Sequence, residues 1–204
     1  MKIVLASSNE HKVKEINAIV LNHSLLGERG QYPTSPNIIF ILPPLGFDPI
    51  EDGKTFEENS LIKARAAWEL SRTWTLADDS GLCIDSLNGA PGVHSARYAE
   101  TPQARIDRVL KEMQGHESRS ARFKCCMTLI NPQGEVAFSY TGVCEGSIIK
   151  EQRGTNGFGY DPIFLLEGSN KTMAELSEEE KNLVSHRGKA LRAVLEYLSK
   201  LQIK

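Results

Sequence analysis

Apolar and polar positions follow two different periods along the chain, and each change of period marks a change of element. Residues 2–6 are predicted to form a short buried strand, because residues 3–6 are an uninterrupted apolar run. After a polar loop, apolar residues recur every three or four positions from Lys12 to Val20, the spacing of a helix. The chain is therefore predicted to open with a strand, a polar loop and a helix.

Capping signals predict the later helices. A Thr-x-x-Glu capping box opens a helix over 55–71, and a Thr-Pro pair opens another over 101–114. A Ser-x-x-Glu box opens the last helix over 177–201, although Ser-His-Arg at 185–187 interrupts its amphipathic pattern.

Strands are predicted between these helices. The Ser-Gly pair after Asp78-Asp79 predicts a turn that bends one strand or makes a hairpin, and residues 131–134 predict a second hairpin. The predicted strands cover 38–42, 73–77, 82–85, 120–130 and 135–146. Helices mixed with hairpins in this way favour an α/β fold with a mixed sheet.

Composition limits the classes of function. With 204 residues, 40% hydrophobic and 25% charged, the chain is an ordinary globular protein of one large or two closely joined domains. A net charge of −2 gives no overall attraction to nucleic acid or a membrane surface, so we expect neither as a partner. An anionic substrate would therefore need a local basic cluster.

We expect a cytoplasmic protein. The first apolar run is too short for a signal peptide, and no segment approaches the roughly 20 apolar residues of a membrane span. The four cysteines lack metal-ligand spacing, which favours reduced thiols.

The acidic pair Asp78-Asp79 is the strongest candidate for chemistry. Two carboxylates at the end of a strand suit Mg²⁺, which binds through one or two carboxylates plus substrate phosphates. The same residues before Ser-Gly are also ordinary turn chemistry. Glu51, in an acidic stretch upstream, is a second possible metal ligand or a plain turn acid.

Two basic segments could meet phosphates. The loop at 7–12 precedes the first helix, where backbone amides and the helix dipole attract anions; it is equally a simple N-cap with a solvated lysine. Asn59 and Lys63 share one face of the second helix, where a lysine is more often a surface group.

Two later segments could bind a flat ligand. Glycines alternate with aromatics at 154–161, so backbone could approach a base while Phe158 or Tyr160 stacks on it; the aromatics could instead belong to the core. His186 and Arg187 could be solvated charges, or Arg187 could donate to a carbonyl or phosphate.

Six motifs in this order resemble the inosine triphosphate pyrophosphatase family. They are Ser-x-Asn-x-x-Lys (7–12), Thr-Phe-x-Glu-Asn-x-x-x-Lys-Ala (55–64), Ala-Asp-Asp-Ser-Gly-Leu (77–82), Ala-Pro-Gly-Val-x-Ser-Ala-Arg-Tyr (90–98), Gly-Phe-Gly-Tyr-Asp-Pro-Ile-Phe (157–164) and Lys-x4-His-Arg (181–187). The resemblance runs from residue 3 to about 195.

That resemblance implies Mg²⁺-dependent hydrolysis of ITP, dITP and XTP to the monophosphate and pyrophosphate. It also implies an elongated mixed β-sheet with flanking helices, two lobes around a central nucleotide cleft, and a homodimer.

The site residues implied by the resemblance fall into three sets. Asp79 is the proton acceptor and a metal ligand, and Glu51 is the second metal ligand. The substrate contacts are Ser7, Ser8, Asn9, Glu10, His11, Lys12, Lys63, Ser80, Phe158, Gly159, Tyr160, Asp161, Lys181, His186 and Arg187.

The chain departs from the family pattern in three places. Ser7-Ser8 stands where the family has Thr-Gly, which puts bulkier side chains in the phosphate loop. The stretch around Glu51 lacks the family's Glu-Glu-Thr-Gly-like form, and residues 27–47 are longer and richer in proline.

Two other functions stay open at this point. One is a related pyrophosphatase acting on modified pyrimidine nucleotides. The other is a non-enzymatic nucleotide-binding regulator, against which the acids Asp78, Asp79 and Glu51 argue.

Overall fold

The computed structural model describes residues 1–7, 9–28 and 38–201. Ser8, residues 29–37 within the proline-rich part, and residues 202–204 lie outside the described residues. The strands are β1 (Lys2–Leu5), β2 (Ile39–Ile41), β3 (Thr75–Ile84), β4 (Ser120–Ile130), β5 (Val136–Ile148) and β6 (Phe164–Leu166). The α-helices are α1 (Glu10–Glu28), α2 (Phe56–Ser71), α3 (Pro102–Glu112), α4 (Glu178–Val184) and α5 (His186–Leu201).

The strands form one mixed sheet in the order β2-β1-β3-β4-β5-β6. β1 pairs in parallel with both β2 and β3, whereas β5 and β6 pair antiparallel. The sheet thus has parallel strands joined through helices at one end and antiparallel strands at the other. This is the mixed α/β arrangement that the sequence pattern predicts, so the prediction is confirmed.

The helix starts follow their predicted caps. The Thr55 hydroxyl accepts from the Glu58 amide at 3.1 Å, and a Glu58 carboxylate oxygen accepts from the Thr55 amide at 3.3 Å. The Thr101 hydroxyl caps α3 by accepting from the Ala104 amide at 3.1 Å, and a proline follows at the first position of the helix. Both helices begin and end within two residues of the predicted bounds.

Of the two alternatives for Asp78-Asp79-Ser80-Gly81, a bend within one strand or a hairpin turn, the hairpin is wrong. These residues lie in the middle of β3, which continues without a break from Thr75 to Ile84. Nearly every β3 residue is buried, and the strand lies between β1 and β4. β3 pairs with β1 only at Thr75 and Leu76, so burial and the neighbouring strand β4 override the local turn preference of Ser-Gly.

The single helix predicted over 177–201 is also wrong in one respect. Ser185 has extended backbone angles (φ −66°, ψ 154°), so α4 ends at Val184 and a separate helix begins at His186. Ser185, His186 and Arg187 are all buried, so three polar residues that interrupt an amphipathic pattern mark a break in the helix rather than a solvated face.

The chain divides into two compact units, each with its own core. The first comprises Met1–Asp79, Cys125–Gly142 and Arg187–Lys204. Its core contains buried residues of β1, α1 and α5 such as Ile3, Ile16 and Leu191.

The second unit comprises Ser80–Lys124 and Val143–His186. Its core contains apolar side chains of β3, α3 and the 160–164 segment, such as Leu82, Val109 and Phe164. None of the helices within the described ranges is long and apolar enough to cross a membrane. All four cysteines are free thiols, and three of them are buried.

Candidate active site

The acidic pair lies where β1 ends. Leu5 and Leu76 are the last residues paired between β1 and β3, and the Ala6 amide donates to the Leu76 carbonyl at 2.8 Å. β3 then runs on past the end of β1, so Asp78 and Asp79 lie beyond the carboxyl end of a parallel strand. Ligands of open α/β sheets bind in this position.

Asp78 is the centre of a buried ion cluster. Its Oδ2 lies 3.0 Å from Lys12 Nζ and 3.4 Å from an Arg187 guanidinium nitrogen, and Arg187 also donates to Glu15. Burial alone would raise the pKa of Asp78, but the two cations hold that pKa well below its usual range. Asp78 is therefore ionised and serves to hold β3, α1 and α5 together.

Asp79 has a different environment. Asn59 Nδ2 donates to its Oδ2 at 3.2 Å, and Lys63 Nζ donates to its Oδ1 at 3.1 Å. Burial raises the pKa of Asp79, and the opposing attraction of Lys63 and Lys12 does not cancel this effect. A carboxylate with a raised pKa is better matched to proton transfer near neutral pH than an ordinary one.

Lys63 joins the two candidate metal ligands. Its ammonium lies 2.8 Å from Glu51 Oε2 and 3.1 Å from Asp79 Oδ1. Burial alone would lower the pKa of Lys63, but attraction to Asp78 and Asp79 outweighs it and raises that pKa. Lys63 is therefore a buried cation, only 7% exposed, and not the solvated surface group that its helix position alone would suggest.

The oxygens of Glu51 and Asp79 are hard donors of the kind that Mg²⁺ takes, and both lie within contact of one buried cation. The carboxylate oxygens of Glu51 and Asp79 are therefore a donor set of the kind that a divalent ion requires. Groups of three or more His, Cys, Asp or Glu side chains arranged to hold a metal do not occur among the residues that the structure describes.

The loop before α1 is held by its own side chains. Asn9 Oδ1 accepts from the amides of His11 (3.1 Å) and Lys12 (3.3 Å), and Ser7 Oγ accepts from the Asn9 amide (3.2 Å). Asn9 therefore already caps two amides of the first turn. The Glu10 side chain and all of Ser8 lie outside the described part of the chain.

A cavity of about 610 Å³ adjoins this loop, lined by Ser7, Val13, Lys14 and residues 42–47. Most of the lining is apolar, from Leu42 to Phe47. The described end of the segment that departs from the family pattern thus lies next to the expected phosphate loop.

The second unit holds a separate polar group in the glycine-rich segment. Asp161 Oδ2 accepts from Lys181 Nζ and from the Phe158 amide, both at 2.8 Å, and Lys181 Nζ lies 4.9 Å from the centre of the Phe158 ring. Gly157 has a φ of +76°, and a Cβ there would lie 2.1 Å from Asp161 Oδ2. Only glycine permits this tight turn around the Asp161–Lys181 ion pair.

The two aromatics of this segment differ in exposure. Tyr160 is only 4% exposed, and its hydroxyl donates to the Ser95 carbonyl at 2.9 Å, so its ring belongs to the core. Phe158 is half-buried. His186 is buried and stacks on Phe123 with ring centres 4.9 Å apart.

The structure thus collects the expected site residues into two groups. The first unit contains the loop residues Ser7 and Asn9 together with Lys12, Glu51, Lys63, Asp79 and Arg187. The second unit contains Ser80, Phe158, Gly159, Tyr160, Asp161, Lys181 and His186.

Sequence reasoning missed part of the first group. It singled out Asn59 only as a neighbour of Lys63 on one helix face, it did not name Glu15, and it gave Asp78 no partner. One signal was present for Glu15, because it stands three residues after Lys12 and so shares its helix face. Nothing in the sequence indicated that Asn59 contacts Asp79.

Comparison with known proteins identifies the family of this chain. The model of the Ham1 family matches residues 3–197. The chain belongs to the Ham1 family. A dITP/XTP pyrophosphatase of Treponema denticola is 42% identical over 204 residues, which cover 97% of this chain and 98% of that protein. A dITP/XTP pyrophosphatase of Bacillus anthracis is 50% identical over 152 residues, which cover 72% of this chain and 75% of that protein.

Solved structures of the Ham1 family have the same fold. The HAM1 protein of Coxiella burnetii is 40% identical with a TM-score of 0.82, over 100% of this chain and 98% of that one. The Ham1 protein of Staphylococcus aureus is 35% identical with a TM-score of 0.83, over 98% of this chain and 100% of that one. The α/β fold and the family resemblance seen in the sequence are confirmed.

Proposed function

We propose that this chain hydrolyses the deaminated purine nucleoside triphosphates ITP, dITP and XTP to the monophosphate and pyrophosphate, with Mg²⁺ as its metal. The observation that carries the proposal is the position of Asp79, a buried carboxylate with a raised pKa held between Lys63 and Asn59. The names of the Ham1-family relatives point to the same reaction.

Asp79 is the proton acceptor in this proposal. A water attacks the α-phosphorus and gives its proton to the Asp79 carboxylate. The bond from the α-phosphorus to the bridging oxygen breaks, and pyrophosphate leaves with the electrons of that bond. Proton transfer to a positioned base contributes about 10²–10⁴-fold, so electrostatic stabilisation must supply much of the remainder.

The lysines and the metal supply that stabilisation. Lys12 and Lys63 offset part of the negative charge of Asp78, Asp79 and Glu51, and the charge of a bound Mg²⁺ would be needed in addition for a polyanionic substrate to bind. We assign Glu51 and Asp79 as the residues that would hold Mg²⁺. When bound, the ion supplies charge neutralisation and Lewis-acid polarisation of the phosphates.

The second unit carries the proposed base contacts. Phe158 is the half-buried aromatic of the segment, so we assign stacking on the base to its ring. Hypoxanthine and xanthine present a 6-carbonyl acceptor, whereas adenine presents a 6-amino donor. Because the Arg187 guanidinium already serves Glu15 and Asp78, we assign donation to the 6-carbonyl to backbone amides of the glycine-rich segment.

We also propose that the protein acts in the cytoplasm and as a homodimer, without nucleic acid or membrane partners. The free cysteines and the family resemblance support this part of the proposal.

The test is pyrophosphate release with Mg²⁺ from ITP, XTP, GTP, ATP and a modified UTP analogue, each below saturation. We expect ITP and XTP to be preferred over ATP, by as much as about 10⁴-fold, because a site built of donors leaves the 6-amino group of adenine unpaired. EDTA should abolish release. Release from the UTP analogue alone would indicate the pyrimidine function, and release from none would indicate a binding protein.

A further inference from the structure

Asn59 joins the two acidic segments of the first unit. It is completely buried on α2, with its Nδ2 3.2 Å from Asp79 Oδ2 and its Oδ1 2.9 Å from the Gly53 amide. One amide side chain therefore donates to the expected proton acceptor and accepts from the segment that carries Glu51.

The rest of that segment is fixed to the same helix. Glu58 Oε2 accepts from the amides of Lys54 (2.6 Å) and Thr55 (3.3 Å). Three successive backbone amides, from Gly53 to Thr55, thus donate to side chains of the first turn of α2. Gly53 also packs directly on Asn59, because a Cβ at position 53 would lie 2.6 Å from Asn59 Oδ1.

Asn59 and Lys63 together engage both oxygens of Asp79. Asn59 donates to Oδ2 and Lys63 donates to Oδ1, and the two side chains lie four residues apart on one helix face. The Asp79 carboxylate is therefore fixed in both position and rotation. Lys63 at the same time contacts Glu51, whose segment Asn59 anchors.

Helix stability does not explain an asparagine here. Asn is a weaker helix former than Ala or Leu, and burial of an amide costs free energy unless both of its ends are satisfied. The side chain at position 59 must donate to Asp79 and accept from the Gly53 amide. An ionised aspartate could only accept, and a leucine could do neither.

We propose that Asn59 is a positioning residue, which holds the Asp79 carboxylate and the Glu51 segment in the relation that metal binding and proton transfer require. The inference rests on the proposed function, since it assigns those two roles to Asp79 and Glu51.

The test compares the variant Asn59→Leu with the wild-type chain. Leu is similar in shape but makes neither hydrogen bond. Loss of an outer partner of a metal ligand typically costs about 10–100-fold in metal affinity or activity, and we expect losses of this size in Mn²⁺ affinity and in kcat on ITP. Mn²⁺ binding is measured by electron paramagnetic resonance without nucleotide. KM for ITP should change much less than kcat.

Ser60→Ala is the matched control. Ser60 is the next residue on α2, is equally buried, and bonds the Ala77 carbonyl (3.2 Å) and Thr128 Oγ1 (2.9 Å) without touching either acid. We expect Ser60→Ala to lower Tm while leaving kcat and Mn²⁺ affinity near wild type. The proposal is overturned if Asn59→Leu lowers Mn²⁺ affinity and kcat no more than Ser60→Ala does. It is also overturned if Asn59→Leu changes KM for ITP but leaves kcat and Mn²⁺ affinity at their wild-type values.

A second variant applies if Asn59→Leu does not fold. Gly53→Ala keeps the Asn59 side chain, but the added Cβ would lie 2.6 Å from Asn59 Oδ1 and so displaces that side-chain amide. We expect the same losses of Mn²⁺ affinity and kcat as for Asn59→Leu, and wild-type values of both would overturn the proposal. A wild-type chain that releases no pyrophosphate would contradict the proposed function instead, and the Mn²⁺ comparison would still decide the role of Asn59.

Discussion

Asp78 and Asp79 are neighbours in sequence but have opposite electrostatic environments. Adjacent side chains of a strand point to opposite faces of the sheet, so the two carboxylates meet different partners. Lys12 and Arg187 lower the pKa of Asp78, whereas burial raises the pKa of Asp79. When the pKa values of two neighbouring acids are shifted in opposite directions, one acid typically has a structural role and the other a chemical role.

The substitution Asp79→Asn tests the chemical half of that division. We expect kcat for pyrophosphate release to fall by about 10²–10⁴-fold, because the proton acceptor is lost. The raised pKa means that the fold disfavours the charged form of Asp79, and Lys63 keeps Glu51 as a partner, so the free energy of unfolding should change little. Steady-state kinetics and urea unfolding on one preparation measure both; near-normal turnover would contradict the role of Asp79.

At the scale of elements, α2 is the helix that builds the candidate site. Its capping box fixes where the helix begins, and four residues later the same face carries Asn59 and then Lys63. The residue at which α2 begins therefore determines where both side chains lie along the helix axis beside Asp79.

Thr55→Ala tests the contribution of this cap. The variant leaves the Glu58 amide without its hydroxyl acceptor and should lower the free energy of unfolding by about 1 kcal/mol in urea. Thr55→Ser, which keeps the hydroxyl, is the control and should restore most of the loss. An equal loss in both variants would show that the hydroxyl does not cap the helix.

Two elements show where local pattern gives way to tertiary packing. Ser80-Gly81 has turn chemistry, but the sheet neighbours of β3 keep it extended. Ser185 sits in a helical pattern, but the buried positions of His186 and Arg187 accompany a break there. In both cases long-range contacts supply more hydrogen bonds and burial than the local preference can.

At the scale of the whole molecule, the ion cluster of Asp78 makes stability depend on pH. The folded pKa of Asp78 is depressed, so its contribution is present above the unfolded pKa of about 3.9 and is lost as pH falls towards the folded value. Asp78→Asn removes this contribution at every pH.

We expect Asp78→Asn to lower the free energy of unfolding at pH 7 by about 3–5 kcal/mol, because the buried Lys12 and Arg187 charges lose a partner. The difference from wild type should shrink below about pH 4, where the Asp78 carboxylate of the unfolded wild-type chain takes up a proton while that of the folded chain stays ionised. Urea unfolding followed by fluorescence measures it, since Trp68 and Trp74 lie in the same unit as Asp78. A difference independent of pH would contradict the ion cluster.

Local features could be predicted from the order of the amino acids alone. The capping boxes at 55–58 and 177–180, the hairpin at 131–134 and the periodic apolar faces depend on residues within a few positions of one another, so they are legible from the chain alone. The ordered motifs likewise identified the family, because motif order is a property of the sequence.

Only the tertiary structure decided which side chains meet. Asn59 and Asp79 are 20 residues apart, and Arg187 and Asp78 are 109 apart, so no local period relates them. Their contacts depend on the strand order and on β3 continuing past the end of β1. Burial then sets the opposite pKa shifts of Asp78 and Asp79, which the identical side chains of two adjacent aspartates could not reveal.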